Sequence, residues 1–519
     1  MNFSRFARAT SWLVLAASGA SAQLEAEWMV HYDGPTRRVD ECFSVAAGPA
    51  GTVSVTGRSD GIGSEYDFAT VRYDAAGNMM WAARYNGPEN AIDEGWFVGV
   101  DAEGNTYACG ASWGGLRPEG SEWDYVTIKY SPTGQALWTN RYNGPGNWSD
   151  TPQAMEVDGA GNVYIAGFAF KEPDQFSRYA THFHVLKYNT DGTIAWEHLI
   201  DAGQEHLGAG ARDIAVDASG NVYATGLYNA GDPWNNNDDM LTVKVDAAGE
   251  LVYVEGFNSG GFNQGLDDGL VITADDAGNA YVSGQTYADD SGNRTWDTTT
   301  LKYGPTGELL WVDVFPQERP DGPRDIEVDA SGNVYVGGGW DAPLDSDGLL
   351  LAYSNAGELR WSRIYDDEHF YDEQGVWGVE IASDGTVCLL LDWQYDDDAG
   401  YDITVIRHDP NGGLIDQSRF DSGSNSDVTW DLDINEDDTL YVAAQSYFPA
   451  TSADYTTVKV PTAPACAADF NDDGAVNTQD VLAFLNAWTS GNARADFNGD
   501  GVINTQDVLA FLNAWTTGC

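Results

Sequence analysis

Two short stretches near the C-terminus carry the densest chemistry in the chain, DFNDDGAVNTQD from Asp469 and DFNGDGVINTQD from Asp496. Each places oxygen-bearing side chains at loop positions one, three, five, nine and twelve, with Gly at six for a sharp turn. A hard divalent cation that takes six to eight oxygens needs that spacing. The first set is Asp469, Asn471, Asp473, Asn477 and Asp480 with the Ala475 carbonyl; the second is Asp496, Asn498, Asp500, Asn504 and Asp507 with the Val502 carbonyl. Two matching loops predict two bound Ca2+ ions. Position twelve is Asp in both, where a calcium-sensor loop carries a bidentate Glu.

The elements that must position these loops follow directly. Each loop runs into the text VLAFLNAW, starting at Val481 and Val508. Val481, Phe484, Leu485 and Trp488, and their counterparts Val508, Phe511, Leu512 and Trp515, recur at helical spacing and predict one inward face per helix. Cys466 and Cys519 bracket the module and are expected to form a disulfide, because so small a core needs calcium and a cross-link to stay folded. These features together resemble a dockerin of type I. The resemblance implies a small all-α calcium-binding domain that docks to a cohesin-like protein or a cell-surface receptor. It also implies that loop positions ten and eleven, Thr478 and Gln479 in one half and Thr505 and Gln506 in the other, help to choose the partner. Their identity between halves implies a pseudo-twofold docking surface.

Upstream, a strand–turn–strand unit repeats eight times. It reads VDASGNVYATG from Val216, VDASGNVYVGG from Val328 and VDGAGNVYIAG from Val157, with weaker copies from Val45, Val100, Ala274, Ile381 and Ile434, spaced by 53 to 59 residues. A third strand with period-two alternation follows (DFATVRYD from Asp67, DYVTIKYS from Asp124), and then a fourth marked by Trp81, Trp138, Trp196, Trp311 or Trp361. Four short strands per period predict one propeller blade. The last repeat stops at its third strand, whereas Trp28 precedes the first copy. An N-terminal strand is therefore expected to complete the last blade and close an all-β, eight-bladed ring, with a seven-bladed ring as the alternative. The GNVYVTG-like, TVKYD-like and W…YNGP texts resemble the bacterial β-propeller repeat known as SBBP, a family usually described as seven-bladed. Expected boundaries are a signal peptide at 1–22, the propeller at 23–460, a linker at 461–465 and the dockerin-like domain at 466–519.

Within the repeats, the recurrent Asp and Gly-Asn predict tight turns rather than a cation in each blade. Basic residues recur in one register of the third strand (Arg72, Lys129, Lys187, Lys244, Lys302, Arg407, Lys459) and are expected to pair with Asp or Glu of a neighbouring blade. Loops between second and third strands carry Trp113, Trp123, Trp234, Trp296, Trp340 and Trp393, where a glycan or peptide could bind or the rings could pack. His182 and His184 are close but lack a third metal ligand. Cys42, Cys109 and Cys388 read as small buried residues. No serine-hydrolase elbow, zinc-protease or phosphate-loop motif occurs, so the sequence offers no catalytic residues.

A formal charge of −56 excludes nucleic acid and anionic membranes as ordinary partners. Arg5 and Arg8, the apolar run from Trp12 to Ala17, and Ala20-Ser21-Ala22 predict export, to the medium, the cell surface or the periplasm, without membrane insertion. The sequence thus points to a secreted, non-catalytic binding or scaffold protein. An extracellular polysaccharide- or peptide-acting enzyme carried by a dockerin, and a structural envelope protein, are the rival readings.

Overall fold

In a computed structural model of the chain, alternating apolar residues and Gly-containing turns build eight four-stranded antiparallel sheets. Residues described are 26–117, 120–171, 180–201, 208–229, 238–259, 267–290, 293–316, 322–342, 345–365, 375–394, 400–449, 452–460, 468, 470, 476, 478–490, 492, 495, 497 and 503–517. The expected signal peptide, the linker 461–465, Cys466 and Cys519 lie outside them.

Blade 1 runs Asp40–Ala47, Val53–Asp60, Tyr66–Tyr73 and Met79–Tyr85, in that order from the innermost strand outward. Blades 2 to 7 repeat this plan over 93–142, 151–200, 209–257, 267–315, 323–365 and 376–420. Blade 8 takes three strands from 427–460, and its fourth is Trp28–Tyr32, paired from Trp28↔Lys459 to Tyr32↔Tyr455. The expected closure and the eight-blade count both hold.

Each apolar core lies between two blades, because each twisted sheet covers its neighbour's face. Ala154, Tyr164 and Phe183 of blade 3 pack with Ala211, Val222 and Leu241 of blade 4. Across the closure, Tyr441 and Tyr455 of blade 8 pack with Cys42, Val53 and Val71 of blade 1.

A second bond between blades comes from the fourth-strand tryptophans, whose indole N–H groups donate to a carbonyl in the next blade's third-to-fourth turn. Trp81 donates to Pro132 O at 3.1 Å, Trp138 to Thr190 O at 3.1 Å and Trp311 to Asn355 O at 3.0 Å. Trp28 makes the same bond across the closure, to Ala75 O at 3.0 Å. Gly77, at φ +80°, lets the turn approach so closely that a Cβ there would lie 2.9 Å from the Trp28 ring.

First-turn chemistry is as expected from the sequence. Asp101 Oδ1 accepts from the backbone N–H of Glu103 and Asn105, and Oδ2 accepts from Asn105 Nδ2 at 2.7 Å and the Tyr107 hydroxyl at 2.9 Å. Asp158, Asp217 and Asp275 repeat the pattern. Both oxygens are committed to protein donors, which leaves the turn no calcium role.

The register of basic residues corrects an expectation. Lys129 donates to Thr190 O and Oγ1, and Lys244 to Gly278 O and Pro305 O, so these ammonium groups cap turn carbonyls of the following blade. They also sit over Tyr107 and Tyr223 at 4.9 and 4.8 Å. Carboxylate pairs also form in this register, Lys129–Asp101 at 3.9 Å, Arg407–Asp416 and Lys459–Glu27, but each lies within one blade and not between neighbouring blades. Turn carbonyls buried or partly buried at the blade seam need donors, and the long cationic side chains reach them.

Two helices, α1 (Thr478–Ser490) and α2 (Thr505–Thr517), form the C-terminal unit. Phe484 and Phe511 stack with centroids 4.2 Å apart and planes 5° from parallel, while Phe470 and Phe497 meet both edge-on. The core is twofold in arrangement as well as in sequence. Leu485 and Leu512 depart from the expected inward face, each lying 37 % exposed.

Candidate functional site

Both helices begin three residues before the VLAFLNAW text, so the last loop positions form their first turns. This carries Asp480 and Asp507 into complete burial, at 0 % exposure, while Thr478, Gln479, Thr505 and Gln506 stay exposed beside them. Asp507 Oδ2 accepts the Asn504 N–H at 2.7 Å, and Asn504 Oδ1 accepts the Gln506 N–H at 2.7 Å, which caps α2. Trp488 of α1 donates to Asn504 O at 2.8 Å, tying one helix to the other half's loop. A buried carboxylate at a helix head is costly without positive charge nearby, so Asp480 and Asp507 suit a cation coordinated from the loop. Asp469, Asn471, Asp473, Ala475, Asn477, Asp496, Asn498, Asp500 and Val502 lie outside the described residues.

On the helix surface Leu482 is 62 % and Leu509 68 % exposed. With Thr478 and Leu485, or Thr505 and Leu512, each forms a stripe at helical spacing. An apolar stripe in each half, related by the internal twofold, was not expected from the sequence, because VLAFLNAW reads as one inward face.

In the propeller, every innermost strand carries a β-bulge at the same register, and a bulge turns one side chain out of the ladder. The residues skipped by the pairing are Phe43, Trp96, Trp377 and Trp430 in blades 1, 2, 7 and 8. In blades 3 to 6 they are Gln153, Arg212, Leu270 and Arg324. None of the eight is buried, although every one of these strands buries other residues. Sequence reasoning passed over them because a bulge leaves no mark on alternation beyond one extra residue.

Below the bulges the axis is acidic. A cavity of about 370 Å³ is lined in part by Gln153, Glu156, Asp213, Asp431 and Asp433. Four of the aspartates act as staples between blades: Asp213 accepts the Ile272 N–H, Asp325 that of Val379, Asp431 that of Val45 and Asp433 that of Ala47. Enclosure by the channel walls pushes Asp213 and Asp431 up to about 7 and Asp325 and Asp433 up to about 6. Glu156 faces channel water within the ring of blades. That enclosure first, and then repulsion from Asp213 and Asp433, pushes its carboxyl up to about 8.

The other candidate side chains make contacts within the propeller. Trp113 meets Trp123 edge-on across its hairpin at 5.5 Å, Trp296 meets Tyr287 at 5.3 Å, and Trp393 is buried in a blade core. Trp234 and the Trp340 side chain lie outside the described residues. His184 is buried between the Tyr125 hydroxyl and Glu197, and His182 bonds Asp201 at 2.7 Å. Cys42, Cys109 and Cys388 are free and buried, and burial pushes the last two thiols up to about 12.

Comparison with known proteins bears mainly on the C-terminal unit. Residues 467–514 match the Dockerin type I domain, a calcium-binding domain whose presence implies a cohesin partner and which is typical of extracellular proteins. No curated protein matches the chain. A solved polysaccharide lyase of family PL25, an ulvan lyase, is similar at 12 % identity and TM-score 0.43, covering 75 % of this chain and 97 % of its own. The β-propeller domain of the Trilobed protease from Pyrococcus furiosus is similar at 9 % identity and TM-score 0.40, covering 70 % and 92 %. No helix among the described residues is long and apolar enough to cross a membrane.

Proposed function

We propose that the chain is a secreted, non-catalytic binding protein whose propeller presents a ligand face and whose C-terminal module docks it, through calcium, to a cohesin-like partner. The observation that carries this reading is the Dockerin type I match over the two loops, with a fully buried carboxylate at the twelfth position of each. Two ions are held, one by Asp469, Asn471, Asp473, Asn477, Asp480 and the Ala475 carbonyl. The other is held by Asp496, Asn498, Asp500, Asn504, Asp507 and the Val502 carbonyl. Calcium neutralises the two buried aspartates and fixes the first turn of each helix, which sets Thr478, Gln479, Leu482 and Leu485, or their twofold mates, at the surface.

Because the halves are equivalent, either can face the partner. Changing Thr478 and Gln479 to Ala and Asp is expected to leave docking of the full chain nearly intact, as is the same change at Thr505 and Gln506. Both changes together abolish it. Loss of docking from either single-half variant would show that one orientation alone is used, and retention by the doubly changed chain would remove these residues from the interface.

A further inference from the structure

The bulge ring is uneven from blade to blade. The second residue after each bulge is apolar in every blade, from Val45 and Val98 to Val379 and Leu432, whereas the bulged position is aromatic in four blades and polar in three. A packing role common to all blades would repeat one residue type. Going round the axis, the side chains instead form a connected arc. Arg324 lies over the Trp377 ring at 3.8 Å, Trp377 meets Trp430 at 6.2 Å, and Trp430 meets Phe43 edge-on at 5.2 Å. Arg58 sits 5.8 Å over Phe43 and is bound by Glu41 and Glu94, and Glu94 in turn accepts the Trp96 indole N–H at 3.2 Å. Trp430 is 37 % exposed, so part of this aromatic surface faces water. The bulges lie near the start of each innermost strand, at the end where the blades connect and where the second-to-third hairpins project. The arc is therefore at the mouth of the channel.

We propose that this mouth binds a neutral sugar residue of a glycan chain, stacked on the Trp377–Trp430–Phe43 arc, with its hydroxyls bonded by Arg324, Arg212 and Gln153 across the opening. The inference rests on the reading that the propeller presents a ligand face, and names its ligand class. Aromatic faces cover the C–H surface of a pyranose, while its hydroxyls need donors and acceptors in alternation. The mouth supplies both, because its guanidinium groups stand beside carboxylates. Arg212 pairs with Asp268 at 3.2 Å, Arg58 with Glu41 and Glu94, and Arg324 acts on the carboxyl of Asp392. With each cation balanced locally and −56 charges overall, the field repels a polyanion.

The test is titration of the full-length protein with neutral gluco-, xylo- and manno-oligosaccharides, followed by tryptophan fluorescence and calorimetry, with uronate oligosaccharides and short peptides as parallel arms. At least one neutral oligosaccharide is expected to bind saturably. Trp430→Ala and Trp377→Ala are each expected to weaken binding by roughly tenfold or more, and Trp113→Phe on an outlying hairpin to change nothing. Normal thermal melting of Trp430→Ala, whose ring is partly exposed, separates lost contact from lost fold. Neutral saccharides that bind Trp430→Ala and wild type equally would overturn the proposal. If only uronates or peptides bind, and do so through Trp430, the sugar assignment fails while the ligand face stands. If no arm binds the wild type, both fail.

Discussion

Asp480 and Asp507 are the residues on which the proposed calcium sites turn, because each is a fully buried carboxyl at the end of its loop. Replacing either with Asn removes the charge and keeps the shape. Asp507→Asn is expected to weaken one of two calcium-binding events by at least roughly 10–100-fold in a calorimetric titration of the full chain, leaving the other in place. A second residue-scale prediction concerns Glu156. Its carboxyl holds its proton up to about pH 8 when folded, against the ordinary carboxylate range near 4 when unfolded. Between those values the folded state binds more protons, so stability is full at the acid end and falls as pH rises. The aspartate staples, raised to about 6 and 7, act in the same direction over a narrower window. The melting temperature is expected to be higher at pH 5 than at pH 8.5 at constant ionic strength. Glu156→Gln raises the pH 8.5 value and leaves the pH 5 value unchanged; a variant with the wild-type pH slope would remove Glu156 from this account.

At the scale of elements, the closing strand Trp28–Tyr32 decides whether eight blades form a ring or a row with two open edges. Its indole bond to Ala75 and its fit against Gly77 repeat a contact made by Trp81, Trp138 and Trp311, so Trp28→Ala removes one of a ring of equivalent latches. Half-burial of the ring sets the expected cost at about 2–3 kcal/mol in urea unfolding. Gly77→Ala adds a clash with the same ring at positive φ and is destabilising as well. This closure was legible in the sequence, because Trp28 carries the fourth-strand signature without the three strands that should precede it. The bulges were not, since Phe43 or Trp430 reads as one more apolar residue in an alternating strand, and only the pairing register reveals that it has left the ladder. The basic register was visible as a pattern but misread. Ion pairing between blades was the obvious role for Lys129 and Lys244 in so acidic a chain, whereas across the seam they meet carbonyls, and Lys129 finds its carboxylate, Asp101, within its own blade. In the C-terminal unit the ligand spacing was plain from residue types, yet the helices began earlier than VLAFLNAW suggested, because Asn504 and Asp507 cap the first turn from within the loop.

The molecule as a whole combines a closed ring, whose mouth carries variable residues on a repeated scaffold, with a separate twofold module that holds its own hydrophobic core. In the proposed function the ring is the frame for recognition, and the module is the attachment that depends on calcium. Such a division predicts that chelation releases the protein from its partner while the propeller, whose turns use their carboxylates internally, keeps its fold. Circular dichroism of the full chain with and without chelator should show unchanged strand signal and a loss confined to helical signal. The most direct measurement is retention of the full-length protein on immobilised cohesin domains and on the producing cell's surface fraction, in calcium, after chelator, and after calcium is restored. The account predicts retention, release and renewed retention in that order. Retention that survives the chelator, or its absence from every surface while two calcium ions are bound, would contradict it.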